Sequence, residues 1–366
     1  MKFSAERQAI LGPLQAVIGV VERRQTMPVL SNVLVVVRDD QMSITATDLE
    51  VELVAKAPVS VQQAGEITLP GRKLLDIVRA LPDSSQVTIA VDGERATVRS
   101  GKSRFTLATL PASEFPTVED IKAQQTLTIP QAALKRLLEK THFSMAQQDV
   151  RYYLNGMLLE SDGKALKTVA TDGHRLAYCE AELESSTATA VQQVIVPRKG
   201  VLELQRLLTG DDKVELVIGT NHVRVQIGAI RFTSKLIDGR FPEYGRVIPA
   251  APGRKIGADR DTLRAALQRA AILSNEKYRG IRLSLKAGTL TLQSHNPEQE
   301  EAEEELDVVY EGDEMEIGFN VNYLLDALAA VDGDQVEIGL TDSNSSCLLT
   351  SPAMPQAKFV VMPMRL

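Results

Sequence analysis

Arg104-Phe105-Thr106, Arg231-Phe232-Thr233 and Lys358-Phe359-Val360 are one short beat that recurs along the chain, and its three phenylalanines are equally spaced by 127 residues. The first two beats lead to Phe-Pro, at Phe115-Pro116 and Phe241-Pro242. The third leads to Met362-Pro363-Met364-Arg365-Leu366. A fixed period means one structural unit used repeatedly. Other fragments keep the same order. Pro70 and Pro197 each open an apolar helical run, and Asn320 opens a third. Ala46-Thr47-Asp48 recurs as Ala170-Thr171-Asp172. The period exceeds the roughly 20–50 residues of a solenoid repeat and has the size of a small domain, about 100–150 residues.

Hydrophobic spacing gives the content of each unit. Ile10, Leu11, Leu14, Val17, Ile18 and Val21 recur at helical spacing. Short β-rich runs follow at 32–37, 41–46, 51–55 and 66–69, then a helix over 71–80, then strands at 87–91, 97–100 and 105–109, separated by turn residues such as Asp92-Gly93. The second unit repeats this with helices at 131–141 and 198–208, and the third with helices at 260–274 and 321–331. The expected fold is α+β: three similar domains in tandem, each with two helices packed on antiparallel sheet. They should cover 1–120, 125–247 and 252–366, with linkers near 118–125 and 249–254. Residues 350–358 look like linker.

Composition is that of an ordinary soluble chain, with 44% apolar and 24% charged residues. No apolar run approaches the roughly 18 residues that span a bilayer, and the N-terminus lacks the form of a signal peptide. With only Cys179 and Cys347, a reducing cytoplasmic location is expected. Catalytic signatures are missing: four scattered histidines, no HExxH, no CxxC, and a Gly101-Lys102-Ser103 fragment without the earlier glycine of a phosphate loop. No catalytic residue, metal or cofactor is expected. The acidic run from Glu298 to Glu305 admits a metal-dependent nuclease as a rival. On a strand its carboxylates would point to both faces, whereas a metal needs them to converge.

Net charge is −7, yet its placement is uneven: residues 248–366 carry 11 basic and 19 acidic groups. Basic residues favour five of the six expected helices: Arg7, Arg23 and Arg24; Arg72, Lys73 and Arg79; Lys135, Arg136 and Lys140; Arg198, Lys199 and Arg206; Arg260, Arg264 and Arg269. If those faces share a surface, it attracts phosphate without reading sequence. An acidic end and a basic end carrying Lys73, Lys102 and Arg104 favour head-to-tail pairing, which closes into a ring if the rotation allows. Two copies would supply twelve helices. At about 9 Å between packed axes they form a ring about 110 Å around and about 35 Å across. Subtracting a helix diameter of about 10 Å leaves about 25 Å, room for duplex DNA.

Several fragments carry a resemblance. Gln148-Asp149-Val150-Arg151-Tyr152-Tyr153-Leu154-Asn155-Gly156, Thr171-Asp172-Gly173-His174-Arg175-Leu176, Ile272-Leu273-Ser274-Asn275-Glu276-Lys277, Asn296-Pro297-Glu298-Gln299-Glu300-Glu301 and the ending Met362-Pro363-Met364-Arg365-Leu366 resemble the bacterial sliding clamps, the beta subunit of the replicative DNA polymerase. The resemblance covers the full chain. It implies a non-catalytic processivity factor: a ring-shaped homodimer with helices lining the channel, set onto double-stranded DNA by a clamp loader. Polymerases and repair proteins would bind it through short linear peptides.

The same resemblance implies DNA contacts at Arg24, Arg72, Gln148, Tyr152 and Tyr153. It implies a peptide pocket at Leu154, Thr171, Gly173, His174, Arg175, Leu176, Pro242, Arg246, Val247, Asn344, Ser346, Val360, Val361, Met362, Pro363, Met364 and Arg365. Dimer contacts fall on Lys73, Phe105, Leu107, Ile272, Leu273, Glu298, Glu300, Glu301, Glu303 and Glu304. From the residues alone, Arg151-Tyr152-Tyr153 suits stacking on bases or sugars and equally a strand with tyrosines inward. Met362 and Met364 suit an adaptable groove and equally core filling. Ile272 and Leu273 suit an interface and equally a core. His295 stands where the family pattern leads us to expect Asn.

Overall fold

The computed structural model describes residues 1–21, 27–118 and 121–365. Six helices appear in the expected places: α1 (Arg7–Val17), α2 (Gly71–Ala80), α3 (Gln131–Thr141), α4 (Arg198–Leu207), α5 (Arg260–Ala271) and α6 (Val321–Ala330). Each buries one apolar stripe. In α2 Leu74, Leu75 and Val78 turn inward, and in α5 Leu263, Ala266, Leu267 and Ala270 do. α1 is shorter than the periodicity predicts. It carries Pro13 in its interior, where an amide donor is lost, and it passes into a 3₁₀ turn over Ile18–Val20.

The helix starts repeat as faithfully as the sequence does. The first amides of a helix lack intrahelical acceptors. Here Arg7 N–H donates to Ser85 O, Gln131 N–H to Asp212 O, and Arg260 N–H to Asp334 O, at 2.8–2.9 Å. The same position of each repeat thus solves the same problem. Asp259 and Asn320 add side-chain caps to α5 and α6, as short polar residues do at this position.

The chain divides into two compact units. The first comprises residues 1–132, 184–188 and 199–236. It holds a five-stranded sheet ordered 60–63, 2–6, 86–92, 95–100, 103–108, and a nine-stranded sheet ordered 185–186, 123–130, 213–219, 222–227, 230–235, 51–58, 41–47, 32–38, 65–70. The second comprises 133–183, 189–198 and 237–366. Its eight-stranded sheet runs 192–197, 156–161, 165–171, 175–182, 357–361, 347–350, 335–340, 254–259, and its four-stranded sheet runs 301–307, 289–295, 280–286, 315–320. All strand pairs are antiparallel.

The sequence beat acquires a physical meaning here. Phe232 lies on strand Ile230–Lys235, which pairs with Val51–Pro58 of the preceding repeat and places Phe232 opposite Leu53. Phe359 lies on Ala357–Val361, which pairs with Arg175–Glu182 and places Phe359 opposite Ala177. Each phenylalanine is fully buried, which stabilises a junction by roughly 1.5–3 kcal/mol. The beat therefore marks the strand by which one repeat joins the last.

Three expectations at segment level are corrected. Residues 123–125 belong to strand Ala123–Pro130, and strand Arg254–Asp259 begins inside the expected second linker. The stretch read as linker over 350–358 ends in strand Ala357–Val361. In each case the strand is held by a distant neighbour (Ala123 by Gly219, Arg254 by Leu340, Ala357 by Cys179), so local composition gave no signal. Among the described residues no helix is long and apolar enough to cross a membrane.

Candidate functional site

The strand Arg175–Glu182 is the axis of the site. It is joined to Ala165–Thr171 by a tight turn. Thr171 Oγ donates to Arg175 O at 2.6 Å and accepts from Gly173 N–H, while Asp172 Oδ1 accepts from the amides of His174 and Arg175. Gly173 has φ +88, a left-handed conformation natural to glycine. The first repeat builds the same turn. Thr47 Oγ donates to Val51 O, and Asp48 Oδ1 accepts from Glu50 and Val51. Leu49 there takes φ +76. Gly173 has a second reason: the Arg151 guanidinium lies 2.9 Å from where a Cβ would stand.

Beneath the turn lies an apolar cluster of Leu158, Val169, Leu176, Tyr178, Ile195, Phe241 and Val360, flanked by Tyr153, Ile237, Tyr244, Ile248 and Leu348. Met362 N–H donates to His174 O, which draws the C-terminal segment along the turn and leaves the Met362 side chain 46% exposed. Leu154 is buried, and Pro242, Arg246 and Val247 are exposed on the segment that follows Phe241. This buried cluster thus lies beside the polar turn residues His174 and Arg175 and the exposed Arg246, where the peptide groove is expected. Burial pushes the phenols of Tyr178 and Tyr244 up, and their hydroxyls donate to Glu180 and Glu160. Burial opposes ionisation of Glu160, but hydrogen bonds from Gln193, Tyr244 and Lys167 outweigh it and hold its carboxyl below the usual value.

The expected pocket residues do not all gather here. Asn344 and Ser346 lie on the turn leading to strand Cys347–Thr350, where Cys347 stands opposite Val361, and Val361 itself is buried. Met364 turns away. Its amide donates to Gly318 O, and with Arg365 it lines a separate cavity of about 640 Å³ beside Tyr278, Arg282, Gln293 and His295. Other contributors escaped sequence reading. Phe143, Tyr323 and Asp326 surround Arg175, and nothing in their local sequence pointed there. Phe241 was visible only as half of a Phe-Pro repeat.

Comparing the repeats shows that one of three equivalent sites is apolar. Cross-strand pairing makes Leu158, Val169, Leu176 and Tyr178 of the second repeat equivalent to Leu34, Thr45, Glu52 and Val54 of the first. In the third they correspond to Arg282, Gln293, Glu301 and Glu303. Only the second repeat has four large apolar or aromatic groups at these positions. In the first, Glu52 is buried, accepts from Val118 N–H and lies 3.8 Å from Arg231.

The loop before the 3₁₀ turn Tyr152–Leu154 is tightly tied. Asn155 accepts from Asp149 N–H and donates to Asp149 O. Asp149 accepts from the Arg151 amide and guanidinium, and that guanidinium holds its carboxyl down to about 2. Gln148 (φ +57) and Tyr152, 57% exposed, project from this frame, whereas Tyr153 packs on the groove cluster. Arg72 is exposed and donates to Val21 O. Arg23 and Arg24 lie outside the described residues.

Many expected helix cations have another task. Arg7 donates to the carbonyls of Val78 and Arg79 and pairs with Asp83. Arg206 donates to Gln15 O and Ala16 O. Lys140 and Arg136 share Asp332, and Lys140 also donates to Ala330 O. Arg260 donates to Val331 O, and Lys199 pairs with Asp48. Four of these cations cap the C-terminal carbonyls of a neighbouring helix, where positive charge is favoured. These helix cations are thus engaged within the chain, in addition to any attraction for phosphate that their charge supplies.

At the acidic strand, Glu304 is paired with Arg269 at 2.7 Å, Glu303 accepts from Gln293, and Glu300 from Asn296. Each carboxylate is thus held by a different neighbour. Ile272 is 75% exposed, which resolves its reading away from core. Leu273 and Phe105 are half-buried, Leu107 is buried, and Lys73 and Glu298 are exposed.

Known proteins share this arrangement throughout. Residues 1–119, 128–243 and 245–365 match, in order, the N-terminal, central and C-terminal domains of the DNA polymerase III beta subunit. Beta sliding clamps from Pseudomonas putida and Escherichia coli are 55% and 52% identical, with full coverage of both chains. The crystal structure of the DNA polymerase III subunit beta from Pseudomonas aeruginosa superimposes with TM-score 0.98 at 54% identity over the whole of both chains. Another from that organism, TM-score 0.97, 54% identical and equally complete in coverage, is bound to griselimycin. Three tandem clamp domains, each a variation on one sheet-and-helix-pair unit, define the class as that of the DNA clamps. Within it, this chain belongs to the DNA polymerase III beta subunit family, the bacterial sliding clamps.

Proposed function

We propose that two copies of this chain join end to end in a closed ring that encircles duplex DNA and slides along it without sequence preference. The ring, set in place by a clamp loader, tethers DNA polymerase and other DNA-processing proteins through short peptides held in the apolar groove of the second repeat. It acts in the cytoplasm and performs no covalent chemistry.

The observation that carries this reading is a pair of unmatched sheet edges. Within the chain, the beat strand of the second repeat joins the first repeat, and that of the third joins the second. The remaining beat strand, Ser103–Ala108, ends its sheet, and so does Glu301–Asp307, the third repeat's counterpart of the accepting strands. An open edge is a template for pairing. Continuing the register of Phe232 on Leu53 and Phe359 on Ala177 sets Phe105 opposite Ala302 of a second copy, and Arg104 opposite Glu303. Opposite charges then face each other across the junction, and Ile272, three residues after the Arg269 that pairs with Glu304, supplies exposed apolar surface. Two such junctions satisfy both edges of both copies, which gives a closed two-fold assembly.

Gln148, Tyr152, Tyr153, Arg72 and Arg24 would touch the duplex weakly, through phosphate and sugar. Threading then does what affinity does not. The test is retention on DNA after loading: long-lived on nicked circles, short on linear duplex of the same length. Equal lifetimes on the two forms sink the reading.

A further inference from the structure

The rim arginine of the groove is steered from a different repeat. Arg175 has five N–H donors in a planar fork. Nε donates to Asp172 Oδ2 at 3.1 Å, Nη1 to Asp326 Oδ2 at 2.5 Å, and Nη2 to Phe143 O at 2.8 Å. The guanidinium lies over the Tyr323 ring at 4.6 Å, and the His174 ring stacks on Tyr323 at 6.4 Å. Tyr323 and Asp326 are three residues apart on α6, hence on one helix face. That face offers a ring and a carboxylate to the rim together. Asp172 belongs to the turn itself, and Phe143, which adds its carbonyl and a ring 5.6 Å from the guanidinium, also lies in the second repeat. Among the described residues, Asp326 is therefore the side chain outside the second repeat that hydrogen-bonds the guanidinium and so bears on which way its fork points, while Tyr323 packs on its face.

We propose that Asp326 is a positioning residue for ligand binding in this groove. By holding one Nη1 proton it aims the two remaining N–H groups of Arg175 at the ligand, and it keeps the guanidinium flat on Tyr323. The proposal rests on the groove being the ligand site. The Asp326 carboxylate is about half exposed, so the pair adds little to stability; its effect is orientation.

The experiment titrates griselimycin into the wild-type chain and into Asp326→Asn and Asp326→Glu, with thermal unfolding and nitrogen-15 spectra of the arginine side chains alongside. Asp326→Asn should weaken binding roughly fivefold, the size expected for one partly exposed charged contact. Its unfolding temperature should stay unchanged, and the Arg175 Nη resonances should pass from slow to averaged rotation. Asp326→Glu should restore most of the affinity. Wild-type binding with Asp326→Asn within about twofold of it, or an Arg175 fork equally ordered in both, overturns the role of Asp326 alone. No binding by the wild type removes the groove reading, and this proposal with it.

Discussion

Gly173 concentrates two constraints in one residue. Its φ of +88 disfavours a side chain, and Arg151 occupies the space a Cβ would need. Leu49 takes nearly the same φ in the first repeat, so the strain can be carried there; at Gly173 the positive φ is the main cost of a side chain, and the flexible Arg151 guanidinium has to move as well. Gly173→Ala should therefore cost about 1–3 kcal/mol and displace Arg151 from its bond to Asp172 O. Thermal unfolding and the position of the Arg151 side-chain resonance check this, and a variant as stable as wild type contradicts it. Glu52 makes the opposite case, a charge kept where its counterpart Leu176 is apolar. Burial pushes its carboxyl above the usual value of 4.5, against the pull of Val118 N–H, Arg231 and Arg224. A carboxyl with a raised folded pKa binds its proton more tightly when folded, so its contribution to stability declines as pH rises from about 4.5 through the raised value. Glu52→Gln keeps an acceptor for Val118 but removes the titration. The wild type should lose unfolding temperature relative to this variant over that window, and a difference constant with pH refutes the account.

Among the elements, the helices and the junction strands divide the labour. The helices were legible because an apolar stripe at i, i+3 and i+4 is local information, and five of the six begin within a residue or two of the expected start. Their cations were ambiguous: a basic residue on a helix face looks the same whether it meets a phosphate or the carbonyl end of another helix. Arg206 on α4 and Lys140 on α3 are of the second kind. The strands were legible where they alternate and illegible where pairing alone creates them, as at Arg254–Asp259. The beat of Phe105, Phe232 and Phe359 was visible as a period, but its meaning as a joining strand needed the register. Two of the three phenylalanines are buried by the junction they make, while Phe105 waits half-buried on an open edge.

For the whole molecule, the open edges at Ser103–Ala108 and Glu301–Asp307 set the expectation that the working form is a dimer. Ile272→Ala with Leu273→Ala removes apolar surface of which Ile272 is already 75% exposed, so the chain should stay folded while the assembly fails. Light scattering should return the 40.0 kDa of one chain for the double variant and twice that for the wild type. An unchanged dimer mass contradicts the interface. The variant should also lose its long residence on circular DNA, because a ring that does not close cannot be threaded.

The places of the helices, the repetition of the unit and the period of the phenylalanine beat followed from the sequence by itself, because each rests on neighbours a few residues apart or on a period that counting reveals. The candidate peptide site needed the tertiary structure. Its apolar cluster brings together Leu158, Val169, Leu176, Tyr178, Phe241 and Val360 across antiparallel pairings, and Arg175 beside it bonds to Asp326, 151 positions away. Which of three equivalent sites is apolar depends on side chains that meet only when strands are paired in one register, and no local pattern encodes that meeting.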